Sequence, residues 1–231
     1  MSKPVRPKDA ASLVLLDRSD RTEPRLLMGR RHSRHAFMAG VYVFPGGGVD
    51  RTDSQLARNL SLASDNLDPK LFLQTPARFS IARARALQLA AIRECFEETG
   101  WVIGAGNPGW YRGANTSWAA FSQIGGLPRF DRLQFIARAI TPPGRVRRFD
   151  ARFFLADRAE CLNIPPSPLT DELQDLGWYN FAEIESLPLA DITRALVDDI
   201  HQLLQEPKAS QQSHKKPFYF ARHNQHIKIL L

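Results

Sequence analysis

Short apolar runs and two long helical stretches divide this chain. Ala11-Ser-Leu-Val-Leu-Leu16 is an apolar run, ended by the polar stretch Asp17 to Glu23 and answered by Arg25-Leu-Leu-Met28. That pattern predicts a strand, a turn and a returning strand. Val41-Tyr-Val-Phe44 predicts a third strand, which Pro45-Gly-Gly-Gly48 stops because proline removes a donor and glycine permits positive φ. Leu133 to Ile140 and Phe149 to Leu155 read as two more strands around the turn Thr141-Pro-Pro-Gly144, and Glu172 to Tyr179 as a shorter one. Phe79 to Thr99 is alanine-rich, has no internal Gly or Pro, and is followed by Gly100, so it predicts a helix with a glycine stop. Ala190 to Gln205 is amphipathic and predicts the second main helix.

The intervening segments carry weaker patterns. Residues 51 to 80 lack strand alternation, and Asp68-Pro69 has the chemistry of a helix start. We expect an insertion over about 54–80 with one or two short helices. The polar stretch 206–216 is expected to be a mobile tail before the apolar patch Phe218-Tyr-Phe220. No repeat or composition break divides the chain, so residues 1–231 are expected to form a single α/β domain.

The chain has 231 residues, 43% hydrophobic and 24% charged, which excludes a disordered or fibrous protein. No window approaches 18 consecutive apolar residues, so no spanning segment and no membrane partner are expected. Two cysteines are too few for a disulfide scaffold, and the first residues lack a signal-type apolar stretch; a cytoplasmic location is the expectation. The net charge of +7 favours a polyanionic partner: nucleic acid, anionic lipid or a phosphate-rich small molecule.

The densest chemical signal is Arg93-Glu-Cys-Phe-Glu-Glu-Thr-Gly100. On a helix, Glu94, Glu97 and Glu98 share one face. Adjacent carboxylates repel, and a hard divalent cation such as Mg²⁺ offsets that cost while binding substrate phosphates. Arg93, four residues before Glu97, is placed to orient a carboxylate.

These residues resemble the box of the Nudix hydrolase superfamily, G-x5-E-x7-R-E-U-x-E-E-x-G-U, where U is bulky and apolar. Gly47 takes the place of the opening glycine, and Arg93 to Trp101 supply the second half with Cys95 and Trp101 at the U positions. Asp53 stands where the family has glutamate, keeping the charge but reaching one methylene less. Ser54 to Ile92 then separates it from Arg93 by 39 residues instead of seven. That split, with Ala36-Phe-Met-Ala-Gly-Val-Tyr-Val-Phe-Pro-Gly-Gly47, is similar to the branch containing peroxisomal coenzyme A diphosphatases. Gly40-x3-Phe44-Pro-Gly-Gly47 also partly resembles a signature of other coenzyme A-cleaving members, although position 36 is alanine where that signature has arginine.

The resemblance implies an α/β/α sandwich with a mixed central sheet, the helical insertion lying beside the site. It implies Mg²⁺ (or Mn²⁺) held by Glu94, Glu97 and Glu98, and hydrolysis of a nucleoside diphosphate linked to another group. The expected substrate is coenzyme A or acyl-coenzyme A; alternatives are ADP-ribose, NADH or another dinucleotide, or a non-catalytic module that binds nucleotide or nucleic acid. Glu98 and Glu172 are both candidates for the base, with Arg93 and Glu97 completing the catalytic set. Gly46, Gly47, Arg30 and Arg34 are candidates for substrate binding. The arginines of Arg145-Val-Arg147-Arg148, together with Arg31 and Arg152, are further candidates to meet phosphates. A nucleic-acid partner is not favoured, and a homodimer follows from family habit.

Overall fold

The computed structural model describes residues 5–34, 39–60, 67–106, 108–164, 166–211, 214–222 and 225–231. Strand β1 (Lys8–Asp17) turns into β2 (Arg25–Arg31), followed by β3 (Tyr42–Val43) and β4 (Gly46–Gly48). Helix α1 (Arg51–Asn59), a 3-10 turn over Pro69–Phe72 and the long helix α2 (Ile81–Thr99) come next. Two short strands, β5 (Gly104–Ala105) and β6 (Leu127–Pro128), form a small ladder of their own around α3 (Thr116–Gly125). The chain then returns to the main sheet with β7 (Gln134–Ile140), β8 (Phe149–Asp157) and β9 (Leu173–Asn180). Helices α4 (Phe181–Glu185), α5 (Asp191–Gln205) and α6 (Lys208–Gln211) lead to the hairpin β10 (Pro217–Arg222) and β11 (Gln225–Leu230).

The main sheet runs β11-β10-β7-β8-β1-β2-β3, with β4 added on β1 and β9 on β2. Pairs β1–β8 and β10–β7 are parallel and the others antiparallel, so the sheet is mixed. Strand β1 shows how alternation builds two layers. Leu13 and Leu15 join Leu87, Ala91 and Phe96 of α2 in one core. Val14 and Leu16 face the opposite core with Leu196, Val197, Ile200 and Leu203 of α5. The result is the expected α/β/α sandwich.

The structure differs from the sequence expectations in several places, among them the hairpin β10–β11, which extends the main sheet where an apolar patch was expected. The glycines at 46–48 do more than end a strand: they form β4, in register with Ala10, Ala11 and Ser12 of β1. Helix α1 starts at Arg51, before the expected insertion. Asp50 caps it in a reciprocal box with Asp53, the Asp50 carboxylate accepting from Asp53 N–H at 2.7 Å and the Asp53 carboxylate from Asp50 N–H at 3.0 Å. Helix α3 was not foreseen, because its apolar side is carried by Trp118 and Phe121 within a short polar surround. The stretch expected to be a mobile tail carries α6 and the buried Lys216, which donates to the Gln211 carbonyl at 3.0 Å. Residues 35–38, 61–66 and 212–213, which fall within the segments discussed above, lie outside the described residues.

Candidate active site on the carboxylate helix

Helix α2 is fixed at both ends. The Ser80 side chain accepts from Arg83 N–H at 3.2 Å, and Gly100 closes the helix in the left-handed region at φ 74°. A Cβ at Gly100 would lie 2.1 Å from the Ser167 nitrogen, so the loop before β9 packs directly onto the helix end. That loop also satisfies the last turn: Leu169 and Thr170 N–H donate to the Glu97 carbonyl at 2.7 and 3.1 Å.

The final two turns of α2 lie against β4. A Cβ at Gly47 would meet the Glu94 carboxyl carbon at 2.5 Å, and one at Gly46 would meet Ser12 Oγ at 2.3 Å. Only glycine permits this approach. Gly46 N–H donates to Glu98 Oε2 at 2.9 Å, so the glycine strand holds one carboxylate directly.

Arg93 is the centre of the arrangement and is 5% exposed. Its Nε and Nη2 donate to Asp53 at 3.0 and 2.9 Å, its Nη1 to Glu94 at 2.9 Å and Glu97 at 3.0 Å, and its Nη2 also to the Gly48 carbonyl at 2.9 Å. Asp53 has no exposed surface and accepts a further bond from Trp118 Nε1 at 2.9 Å. The shorter side chain at position 53 therefore still reaches the arginine. Its job here is to anchor Arg93 from the capping box of α1.

Burial leaves the carboxylates in unequal states. Burial raises the Glu94 carboxyl to about 7, with the Arg93 charge opposing and the Glu97 charge adding. Glu98 is held well above the ordinary carboxylate range by burial and the Glu94 charge, against the bond from Gly46. Burial also raises Asp53, against the opposing pull of Arg93. For Arg93, burial acts downward, but Asp53, Glu94 and Glu97 outweigh it and raise its pKa.

The sequence candidates thus separate into two groups. Arg93, Glu94, Glu97, Glu98, Gly46 and Gly47 come together, while Glu172 lies just before β9, its carbonyl accepting from His32 N–H at 3.1 Å. Arg30 and Arg34 make exposed ion pairs with Asp175 and Asp171, each at 2.6 Å. Arg152 is wholly buried in the sheet beside Asp150, 2.7 Å away, and faces no open site. The sequence reading missed Trp118 and the Asp53 anchor; the Asp50-x-x-Asp53 spacing is the capping signal that pointed to the second.

The donor set suits a hard divalent cation, being carboxylate oxygens that repel one another at the end of one helix. Among the described residues no three acidic, His or Cys side chains surround one point. Glu94 and Glu97 both lean on Arg93 Nη1, while Glu98 turns to Gly46. That geometry fits ions held by one or two carboxylates each, with water and substrate phosphate oxygens completing the shell.

A crystal structure of a NUDIX hydrolase from Alicyclobacillus acidocaldarius superposes with a TM-score of 0.62, at 23% identity, over 90% of this chain and 96% of that one. The fold is that of a Nudix hydrolase. At the sequence level, the Caenorhabditis elegans protein named "Putative nudix hydrolase 7" is 30% identical over 185 residues, covering 74% of this chain. The chain spans half the length of that curated Nudix relative. No protein-family model matches the sequence. Among the described residues no helix is long and apolar enough to cross a membrane.

Proposed function

We propose that this protein is a metal-dependent Nudix hydrolase that cleaves the phosphoric anhydride of a nucleoside diphosphate linked to another group. The observation that carries the reading is the junction of Gly46 and Gly47 with Glu94 and Glu98, locked by Arg93. It gathers three carboxylates at the end of one helix, two of them sharing the single Arg93 charge and Glu98 held by the Gly46 N–H. The substrate we favour is coenzyme A or acyl-coenzyme A, on the Gly40-x3-Phe44-Pro-Gly-Gly47 run and the split box.

In this reading Glu94, Glu97 and Glu98 hold Mg²⁺ or Mn²⁺, which when bound supplies charge stabilisation to the diphosphate oxygens. Arg93 fixes Glu94 and Glu97 so that their free lone pairs face the substrate side. The bond from Gly46 orients Glu98. Glu172, exposed at the start of β9, or Glu98 removes the proton from the attacking water. Glu172 is the better placed for exchange with solvent, Glu98 for a raised proton affinity. Water adds to one phosphorus as the bridging oxygen leaves with the other phosphate.

The test is product analysis of the purified protein with Mg²⁺ and, separately, Mn²⁺ against coenzyme A, ADP-ribose and NADH. Phosphopantetheine and adenosine 3′,5′-bisphosphate, formed faster than products of the other two, are the expected result. Preference for ADP-ribose or NADH would keep the hydrolase and discard the coenzyme A assignment. No turnover with either metal, in protein shown to be folded, would leave a nucleotide-binding module.

A further inference from the structure

The turn between β7 and β8 exposes an apolar residue that the fold does not bury. Val146 is 92% exposed and stands between Arg145 and Arg147, which are exposed as well. Among the described residues, neither guanidinium makes a hydrogen bond or ion pair. Arg148 turns back to the start of the described chain. Its Nε donates to the Thr141 carbonyl at 2.9 Å and its Nη1 to the Val5 carbonyl at 2.8 Å, while Lys8 N–H donates to the Arg148 carbonyl at 2.9 Å. These bonds bring the exposed Arg6 and Lys8 beside the turn. On the other side a cleft of about 350 Å³ joins Pro142, Pro143 and Arg145 to Ala221 and His226, and Arg222 is exposed next to it.

Segments 5–8, 141–148 and 217–222 contain no Asp or Glu. The closest carboxylates along the paired strands are already engaged, Asp9 by Arg83 and Asp150 by Arg138 and Arg152. Among the described residues, this end of the sheet therefore carries positive charge without ion-pair partners, around an aliphatic tip that two prolines help to hold in place.

We propose that the β7–β8 turn docks on an anionic lipid surface. Val146 enters the boundary between headgroups and acyl chains, and Arg145, Arg147, Arg6, Lys8 and Arg222 meet the lipid phosphates. An exposed aliphatic residue inside a basic ring gains from an apolar layer. A nucleic acid would instead be served by exposed aromatic side chains for base stacking, and the turn has none. Such a contact is peripheral and needs no spanning helix, so it amends the expectation of no membrane partner, which rested on hydropathy alone. It is independent of the hydrolase reading, since the turn makes no contact with the carboxylates of α2 in the bonds described above.

The test is co-sedimentation of the full chain with phosphatidylcholine vesicles, with and without phosphatidylserine. Binding only to the phosphatidylserine vesicles, and release by molar salt, is the expected result. Each cation at such a surface strengthens partition by about fivefold, so the double variant Arg145→Gln, Arg147→Gln should bind about 30-fold more weakly. Val146→Asp should weaken binding further and Val146→Leu should strengthen it, all with unchanged circular dichroism and melting temperature. No binding to the anionic vesicles would overturn the proposal, as would binding that ignores these variants. It would equally fall if an oligonucleotide bound more tightly than the vesicles, or if coenzyme A displaced the protein from them.

Discussion

Replacing Asp53 by asparagine removes one negative charge from a site with no solvent exposure while keeping an oxygen for the Trp118 indole. The partner left behind, Arg93, is itself 5% exposed. Removing one member of a buried ion pair costs about 3–5 kcal/mol. Arg93 keeps Glu94 and Glu97 through Nη1, so the low end applies, about 3 kcal/mol. In a domain of this size 1 kcal/mol shifts the melting temperature by about 2–4 °C, so Asp53→Asn should melt roughly 6–12 °C lower in metal-free buffer. A double-mutant cycle with Arg93→Met, read by urea unfolding, isolates the pair, and the two changes should be non-additive by at least about 1 kcal/mol. Additive losses, or an unchanged melting temperature, would refute the anchoring role. So would a variant of full stability that no longer binds Mn²⁺, because Asp53 would then be acting as a metal ligand.

Glu98→Gln should raise the melting temperature of the metal-free protein at pH 8, since it removes a buried carboxylate that resists ionising, yet lower kcat by roughly 10²-fold or more; a stabilised variant with normal turnover would exclude Glu98 from the chemistry. Glu94 should make metal-free stability fall as pH rises. Its folded pKa of about 7 lies above the ordinary 4.5, so between those values the native state holds a proton that the unfolded state has lost. The contribution is full below about pH 4.5 and gone above 7, about 3 kcal/mol across the window, and it appears as the difference between wild-type and Glu94→Gln urea titrations. Parallel pH profiles for the two proteins would contradict it. Trp118→Phe keeps a ring in the core but removes the bond to Asp53, and should cost about 1–2 kcal/mol with a modest loss of Mn²⁺ affinity in isothermal titration. No stability change there would mean that Arg93 alone suffices to hold Asp53.

Much of this was legible because the governing signals are local. Alanine content and Gly100 define α2, and the continuous apolar run Leu13 to Leu16 marks β1 as a strand covered on both faces. The three glutamates on one helical face follow from their spacing alone. What stayed hidden depends on contacts between distant segments. Nothing near Gly46 says that its strand will pair with Ser12, or that its N–H will meet Glu98 fifty-two residues on. Trp118 looks like any core tryptophan until its indole nitrogen finds Asp53. Arg30 and Arg34 carry the right charge for phosphate, and their surface ion pairs with Asp175 and Asp171 are contacts that no local pattern announces.

The 39 residues between Asp53 and Arg93 also bear on how two distant segments of one chain stay joined. Much of that stretch is helix, 54–59 in α1 and 81–92 in α2, and its Leu87 and Ala91 belong to the core. The length that can vary therefore lies between the two helices, where closing a loop costs entropy only as the logarithm of its length. Two short pieces of sequence far apart can in this way act as one unit, joined through the contact of Asp53 with Arg93 and Trp118.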